Sequence, residues 1–471
     1  MVYPLQYETM LTRLEVDGFK NLHDFKADFG PYTCVVGKNA IGKSNMFDAI
    51  AFLSHLTKET FSQAAVHLRA EQGDIQELFG RKDQAKRFMS FAAEMIVPPT
   101  AKDEFDQDVP IESTYLRYEL KFQLVQKTIS DGKKIPHVQL VEEQLLPLQK
   151  SIATKNLKWA SAKFIDSAIK STGHKNPFMQ TISEDNAPTY VQPRSSNSGQ
   201  NPRIPVENLN ETVLSTMGTR HEYPPLLGAR AEMASWLQLE LEPSAMRAPN
   251  SYYSDAHLSP QGGNLAITLQ RLIDENGDHV RNELVDIVRD LVNVRGVNVD
   301  YDEGRQLFTL NAQLGTSPSL PARVLSDGTL RFLALGLLYL DFHHHRLVCF
   351  EEPENGIAPD KLEQMFNLLH DLTVDPHNAV NTENPLRQVI VNSHSPAYLF
   401  LHKDDLSEVL IGQQNIGSGS LQLLALYSSD NWRMEVPNIP ATDSTFVQEL
   451  LETTFPRIDF SEFGTTPKEE R

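Results

Sequence analysis

Gly37-Lys38-Asn39-Ala40-Ile41-Gly42-Lys43-Ser44 is the stretch on which the reading of this chain turns. Its spacing fits G-x-x-x-x-G-K-[ST], a loop whose backbone N–H groups wrap the phosphates of ATP or GTP. In that reading the Lys43 ammonium reaches the β- and γ-phosphates, and the Ser44 hydroxyl joins the shell of a Mg²⁺ ion. The flanks agree with it. Tyr32 to Val36 is a short apolar run with the character of a buried strand, and Asn45 to Leu53 reads as a helix. Strand, glycine loop and helix in that order aim a helix N-terminus at an anion. Gly37, Lys38, Asn39, Ala40, Ile41, Gly42, Lys43, Ser44 and Asn45 are therefore the candidate nucleotide-binding residues.

Further along, the motifs that complete such a site come close together. The run from Arg346 to Asn355 is a buried strand ending in carboxylates, Glu351-Glu352-Pro353-Glu354. The run from Val389 to Pro396 is a second buried strand, ending in Asn392-Ser393-His394-Ser395. Continuous apolar runs alternating with helices indicate parallel strands covered on both faces. In such sheets the chemistry gathers beyond the carboxyl ends of the strands. The spacing places the Glu351 strand beside the phosphate loop, with Glu351 as a metal ligand and Glu352 as the base that orients and deprotonates water. His394 is expected to meet the γ-phosphate or that water, which makes Glu352, His394 and Lys43 the candidate catalytic residues and Ser44 and Glu351 the candidate metal ligands. Leu325-Ser326-Asp327-Gly328-Thr329 opens an apolar helix running from Leu330 to Asp341. Its serine hydroxyl and N–H groups make another anion site. A nucleotide on Gly37 to Ser44 already has its own helix N-terminus, so Ser326 and Gly328 are expected to face a nucleotide held by a second copy of the chain.

The bulk properties narrow the class. At 471 residues the chain exceeds one ordinary core. No apolar run approaches the roughly 18 residues that span a bilayer, and the start shows no secretory pattern, so the expected location is cytoplasmic, without a membrane partner. Cys34 and Cys349 each lie in an apolar strand-like run and read as small buried hydrophobes rather than a disulfide. A net charge of −19 argues against nonspecific coating of nucleic acid. Between Arg117 and Lys175, however, basic residues outnumber acidic ones, and that face is a candidate surface for DNA.

In chain order, alternation marks strands at Leu11 to Val16, Phe25 to Phe29, Phe88 to Val97 and Tyr115 to Val125. A polar loop is expected from Pro98 to Pro110. Prolines then interrupt residues 126–205, where one helix is expected near Lys155 to Ile169 and a mobile segment at Arg194 to Arg203. Helical spacing returns at Val206 to Met217, Leu226 to Leu239, Leu265 to Glu275 and Val280 to Val292. A hairpin follows at Val297 to Tyr301 and Leu307 to Leu314. The expected organisation is an N-terminal half of the nucleotide-binding lobe (1–125), a basic insertion (126–225), a C-terminal half (226–420) and a tail (421–471). The fold class is α/β, with a mixed or parallel core sheet, an N-terminal antiparallel meander and a helical or irregular insertion.

The phosphate loop, the Leu-Ser-x-Gly turn, the carboxylate strand and the Ser-His pair together resemble an ATP-binding-cassette ATPase. The subtype is similar to the stand-alone AAA-type ATPases of the RecF/SMC/OLD-like group. Leu14-Glu15-Val16-Asp17-Gly18-Phe19-Lys20-Asn21-Leu22, Met246-Arg247-Ala248-Pro249 and Gly262-Gly263-Asn264-Leu265 carry the subtype likeness. The resemblance implies ATP and Mg²⁺ as cofactors. It also implies a homodimer or higher homo-oligomer that sandwiches ATP between Gly37–Ser44 and the other copy's Ser326 and Gly328. It further implies a switch that controls an effector nuclease or toxin in phage defence, with DNA maintenance in the manner of RecF as the alternative. Ala40-Ile41, Asp327 and Glu351 depart from the commoner residues of that pattern. The family's glutamine that couples metal to the insertion has no clear place, and Glu94 is the candidate for it.

Overall fold

The computed structural model describes residues 10–68, 75–80, 87–128, 132–184, 187–196, 201–207, 209–341, 347–415, 417–426, 431–436 and 441–442. Four residues of the expected mobile segment, 197–200, and most of the expected tail lie outside these. Two large sheets organise the rest. The first has eight antiparallel strands. In spatial order they are Ile204–Pro205, Ala187–Pro193, Met179–Glu184, Lys134–Pro147, Tyr115–Thr128, Arg87–Ile96, Met10–Asp17 and Phe25–Asp28. The expected meander strands, Met10–Asp17 and Phe25–Asp28, lie at one end of it.

The second sheet has seven strands, in the order Leu237–Leu239, Leu347–Glu351, Gln388–Ser393, Tyr32–Val36, Val409–Gln414, Leu421–Leu426 and Ala441–Thr442. The first five are mutually parallel. Their side chains explain the unbroken apolar runs: Val35, Leu347, Cys349 and Ile390 enter one core, and Tyr32, Cys34, Val36, Val348, Phe350 and Val391 enter the other. With both faces covered, both alternate sets of residues are mainly apolar. The two cysteines are free and buried, and burial pushes both thiols up.

The helix Lys43–His55 fills the space between the two sheets. Met46, Phe47, Ile50 and Leu53 are buried there, and Phe52 packs on Phe19, Phe91 and Phe122 at centroid distances of 5.9, 5.6 and 6.3 Å. Replacing a buried phenylalanine by alanine costs about 3–5 kcal/mol, so this aromatic knot fixes the helix, and with it the phosphate loop, against the first sheet. On the opposite face of the second sheet lies the helix Asp327–Leu340, buried along Leu330, Leu333, Leu337 and Leu338. The helices Leu265–Asn276 and His279–Val288 and a small antiparallel sheet around Leu307–Leu314 pack with it.

Several local expectations change. Pro98 to Pro110 is not a plain loop: Thr100–Lys102 and Asp108–Pro110 pair as a ribbon. The helix expected from Leu226 runs from Pro224 to Ala234, and Leu237–Leu239 is a strand. Of the helix expected from Val206, only Val213–Met217 is helical. The helix expected near Lys155 is two short ones, Lys150–Asn156 and Ala162–Ala168, and residues 134–147, 179–184 and 187–193 add strands to the first sheet. Among the described residues no helix is long and apolar enough to cross a membrane.

Candidate functional site

The register of the second sheet sets up the site. Val36 is level with Ser393, Asn392 with Glu351, and Phe350 with Leu239. The residues that follow these strand ends therefore emerge along one edge. The strand Gln388–Ser393 intervenes between the carboxylate strand and the phosphate-loop strand. Glu351 thus lies one strand further from the loop than the sequence suggested, because pairing order is set by crossovers that sequence spacing does not record.

The loop itself is shaped by two glycines. Gly42 has φ +106°, and a Cβ there would fall 2.2 Å from Asn21 Nδ2. Asn21 cannot easily yield, since its amide donates to Ile41 O at 2.9 Å and its carbonyl accepts from Asn45 Nδ2 at 2.8 Å. A Cβ on Gly37 would meet Gly412 O at 2.8 Å. The helix begins at Lys43 with no side-chain cap on its first N–H groups, which leaves those donors for an anion. Lys38, Asn39 and Ala40 are exposed. Lys43 is buried and folds back, its Nζ donating to Gly37 O at 2.6 Å and Lys38 O at 2.8 Å. Burial pushes the Lys43 ammonium down, against the pull of Glu352, Glu354 and Glu351.

The carboxylates stand opposite. Ser44 Oγ donates to Glu351 Oε2 at 3.1 Å, and Gln238 Nε2 donates to Glu351 Oε1 at 2.9 Å. A hydroxyl and a carboxylate held face to face are hard oxygen donors of the kind Mg²⁺ takes, and they fit that ion. At Glu352 the chain turns through φ +46°, an uncommon conformation for a residue with a side chain. Its N–H is pinned by Asn392, which accepts through O at 3.0 Å and Oδ1 at 3.1 Å. The turn brings Glu352 Oε1 within 2.8 Å of His394 Nδ1. That pair is close but out of hydrogen-bond alignment, as the imidazole nitrogen has no aligned acceptor. Glu352 Oε2 accepts from Asn355 Nδ2. Behind them Glu354 is mostly buried and its carboxyl is pushed up by burial, against the hydrogen bond from Ser393 Oγ.

Ser326 and Gly328 are elsewhere. Ser326 caps the helix Asp327–Leu340 by accepting from Thr329 N, and is itself exposed. Asp327 is ion-paired with Arg247, which also donates to Leu325 O at 3.1 Å. A Cβ on Gly328 would lie 3.7 Å from Gly356 O, so the turn sits against the loop that follows the carboxylates. Among the described residues no hydrogen bond joins Ser326 or Gly328 to residues 37–45 of the same chain.

Two expectations are corrected. Glu94 is not beside Ser44 and Glu351: it is buried in the first sheet, accepting from Tyr115 Oη at 3.1 Å and Arg117 Nη1 at 2.9 Å. The glutamine that does reach Glu351 is Gln238. Its strand is hard to see in the sequence because it is three residues long and follows a helix after a two-residue break; the alternation Trp236-Leu237-Gln238-Leu239 is its signal. The basic face is also smaller than charge counting suggests. Arg117 is held by Glu15, Glu94 and Glu119, and Lys150 pairs with Asp166.

Comparison with known proteins identifies the family. A family model described as "AAA domain, putative AbiEii toxin, Type IV TA system" matches residues 160–399, which is 240 of the 471 residues. A second, described as "AAA ATPase domain", matches residues 10–212. The chain belongs to the AAA ATPase family. Similar solved structures include an SMC head bound to the C-terminal winged-helix domain of ScpA, at 12% identity over 88% of this chain and 97% of that one, TM-score 0.47. Others are the SMC head domain of Thermotoga maritima, at 11% identity over 89% and 99%, TM-score 0.34, and the recombination mediator RecF, at 12% identity over 90% and 100%, TM-score 0.38.

Proposed function

We propose that the chain is a Mg²⁺-dependent ATPase that works as a nucleotide-gated dimer, each ATP being held between one protomer's phosphate loop and the other's Ser326 turn. The observation that supports this reading is that the chain presents two helix N-termini, at Lys43 and at Ser326, that are not hydrogen-bonded to each other among the described residues. A second copy supplies the turn that the first cannot.

Within one site, Lys43 would exchange its two loop carbonyls for phosphate oxygens, which moves a buried cation onto an anion and satisfies it. Ser44 and Glu351 would hold the Mg²⁺, with Gln238 keeping Glu351 in place. When bound, the ion neutralises charge developing on the phosphate oxygens. Glu352 would take a proton from the attacking water, its carboxylate aimed by the Asn392 contacts and flanked by His394. Gly37 to Asn45 would bind the nucleotide, as read from the sequence. ATP closes the dimer, and hydrolysis opens it.

The description of the matched family as a toxin–antitoxin class supports a role in which this switch restrains or releases an effector in phage defence. The RecF-like alternative depends on the lysines between residues 121 and 175, and it loses Arg117 to internal ion pairs. Retention of duplex DNA at moderate salt would revive it. Mixing two crippled variants tests the composite site. Lys43→Ala and Ser326→Arg should each hydrolyse ATP poorly alone. Mixed, they form heterodimers with one intact site, and activity should return. If the mixture stays as inactive as its parts, the composite site is wrong.

A further inference from the structure

Among the described residues, two groups of three side chains that could ligate a metal lie outside the nucleotide site: His55, Glu59 and His67, and His370, His402 and Glu408. In the first, the imidazoles stack with centroids 4.3 Å apart and planes 7° from parallel. Ring planes so arranged cannot both contain one ion, and a histidine binds a metal in its ring plane. In the second, the rings are tilted by 52° with centroids 6.1 Å apart, and one carboxylate lies between them.

The tautomer of His370 supplies the further argument. Its Nδ1 is 3.0 Å from Phe366 O, and a carbonyl only accepts, so Nδ1 carries the proton. Nε2 then faces both oxygens of Glu408, at 3.1 and 3.0 Å. A neutral ring would point its lone pair at a carboxylate, which is repulsive unless a cation, either a proton or a metal, stands between them. A backbone carbonyl that fixes one ring nitrogen while the other is free to ligate is the outer-shell pattern of metal-bound histidine. His402 offers Nδ1 at 3.0 Å from Glu408 Oε2. Its side chain is fully buried, and its Nε2 is buried without a hydrogen-bond partner.

We propose that His370 Nε2, His402 Nδ1 and the Glu408 carboxylate form a binding site for a borderline divalent cation of the Zn²⁺ type, with a water as the remaining ligand. Two imidazoles and a carboxylate are a donor set for Zn²⁺ rather than for Mg²⁺. His370 and Glu408 keep some exposure, at 27% and 20% of their side chains, so the fourth position opens to solvent. Zinc–nitrogen bonds of about 2.0–2.1 Å in a tetrahedral site put imidazole centroids roughly 5 Å apart. The rings would therefore close on the ion by about 1 Å. The site would tie together three segments that support the nucleotide site from behind. Tyr32, at the start of the phosphate-loop strand, stacks on His370 at 3.8 Å. His402 follows the helix Pro396–Phe400 that comes after His394, and Glu408 precedes the strand Val409–Gln414.

The test titrates the full-length, metal-stripped protein with Zn²⁺ against a chromophoric chelator, without nucleotide or Mg²⁺, and records the visible spectrum with Co²⁺. The wild type should take up one Zn²⁺ per chain and give the intense Co²⁺ bands of a four-coordinate site. His370→Gln, at a mostly buried but solvent-reachable side chain, should weaken binding at least tenfold while leaving the circular dichroism unchanged; Glu408→Gln gives a second, independent loss. Fluorescence melting should show Zn²⁺ raising the Tm of the wild type and not of His370→Gln. No stoichiometric uptake by the wild type would overturn the site. So would uptake that survives both substitutions, or uptake abolished by His67→Ala instead.

Discussion

Gly42→Ala tests how tightly the phosphate loop is built. An alanine there would be forced into the left-handed region at φ +106°, at about 1–2 kcal/mol. Its methyl would also land 2.2 Å from Asn21 Nδ2 and 2.5 Å from Asn21 Oδ1, so Asn21 must leave. That gives up its bonds to Ile41 and Asn45, at about 0.5–1.5 kcal/mol each. The sum is about 2–5 kcal/mol, and at about 1.4 kcal/mol per factor of ten it corresponds to a loss of ATP affinity from tens- to thousands-fold. Calorimetric titration with ATP measures it, with the far-ultraviolet dichroism confirming that the variant is folded. The double variant Asn21→Ala, Gly42→Ala removes the group that the methyl strikes. Its loss should be smaller than the sum of the two single losses, because the sites touch. Wild-type affinity in Gly42→Ala, or strictly additive losses, would refute the reasoning.

Gln238→Ala should leave ATP affinity within about threefold but lower kcat by roughly ten- to a hundredfold, the worth of one hydrogen bond to a carboxylate at about 1.5–3 kcal/mol; phosphate release at saturating ATP reads it, and an unchanged kcat would remove Gln238 from the site. Glu143 gives a pH signature away from the nucleotide. It is fully buried, accepts from Val213 N, Leu214 N and Tyr118 Oη, and has its carboxyl pushed up by burial to about 7 from 4.5. The native state therefore holds the extra proton between those values, and this contribution to stability is full below pH 4.5 and is lost as pH rises through 7. Across pH 5 to 7.5 the Tm of the wild type should fall relative to that of Glu143→Gln, and parallel profiles would contradict the assignment.

What the sequence disclosed follows from which features are local. The phosphate loop, the carboxylates after Phe350 and the Ser393-His394 strand end are each written in fewer than ten consecutive residues, and the apolar runs before them show strands covered on both faces. Level strand ends then bring Ser44, Glu351, Glu352 and His394 to one edge without further information. What needs three dimensions stayed hidden. Strand order is decided by crossover paths, which is why an extra strand separates Glu351 from the loop. Gln238 rides on three residues whose strand character comes from pairing with Val348 to Phe350. Arg117 counts as a free positive charge in the sequence and as the centre of three ion pairs in the fold. The ribbon between Thr100 and Pro110 is too short and polar to show alternation, since its two strands pair only with each other.

The account depends most on ATP bringing two chains together across Ser326. Sedimentation of Glu352→Gln with Mg²⁺ and ATP measures this directly, since the variant should bind ATP without consuming it. A dimer carrying two nucleotides, reverting to monomer when Ser326→Arg is added, is the expected result; a saturated, ATP-bound monomer would contradict it.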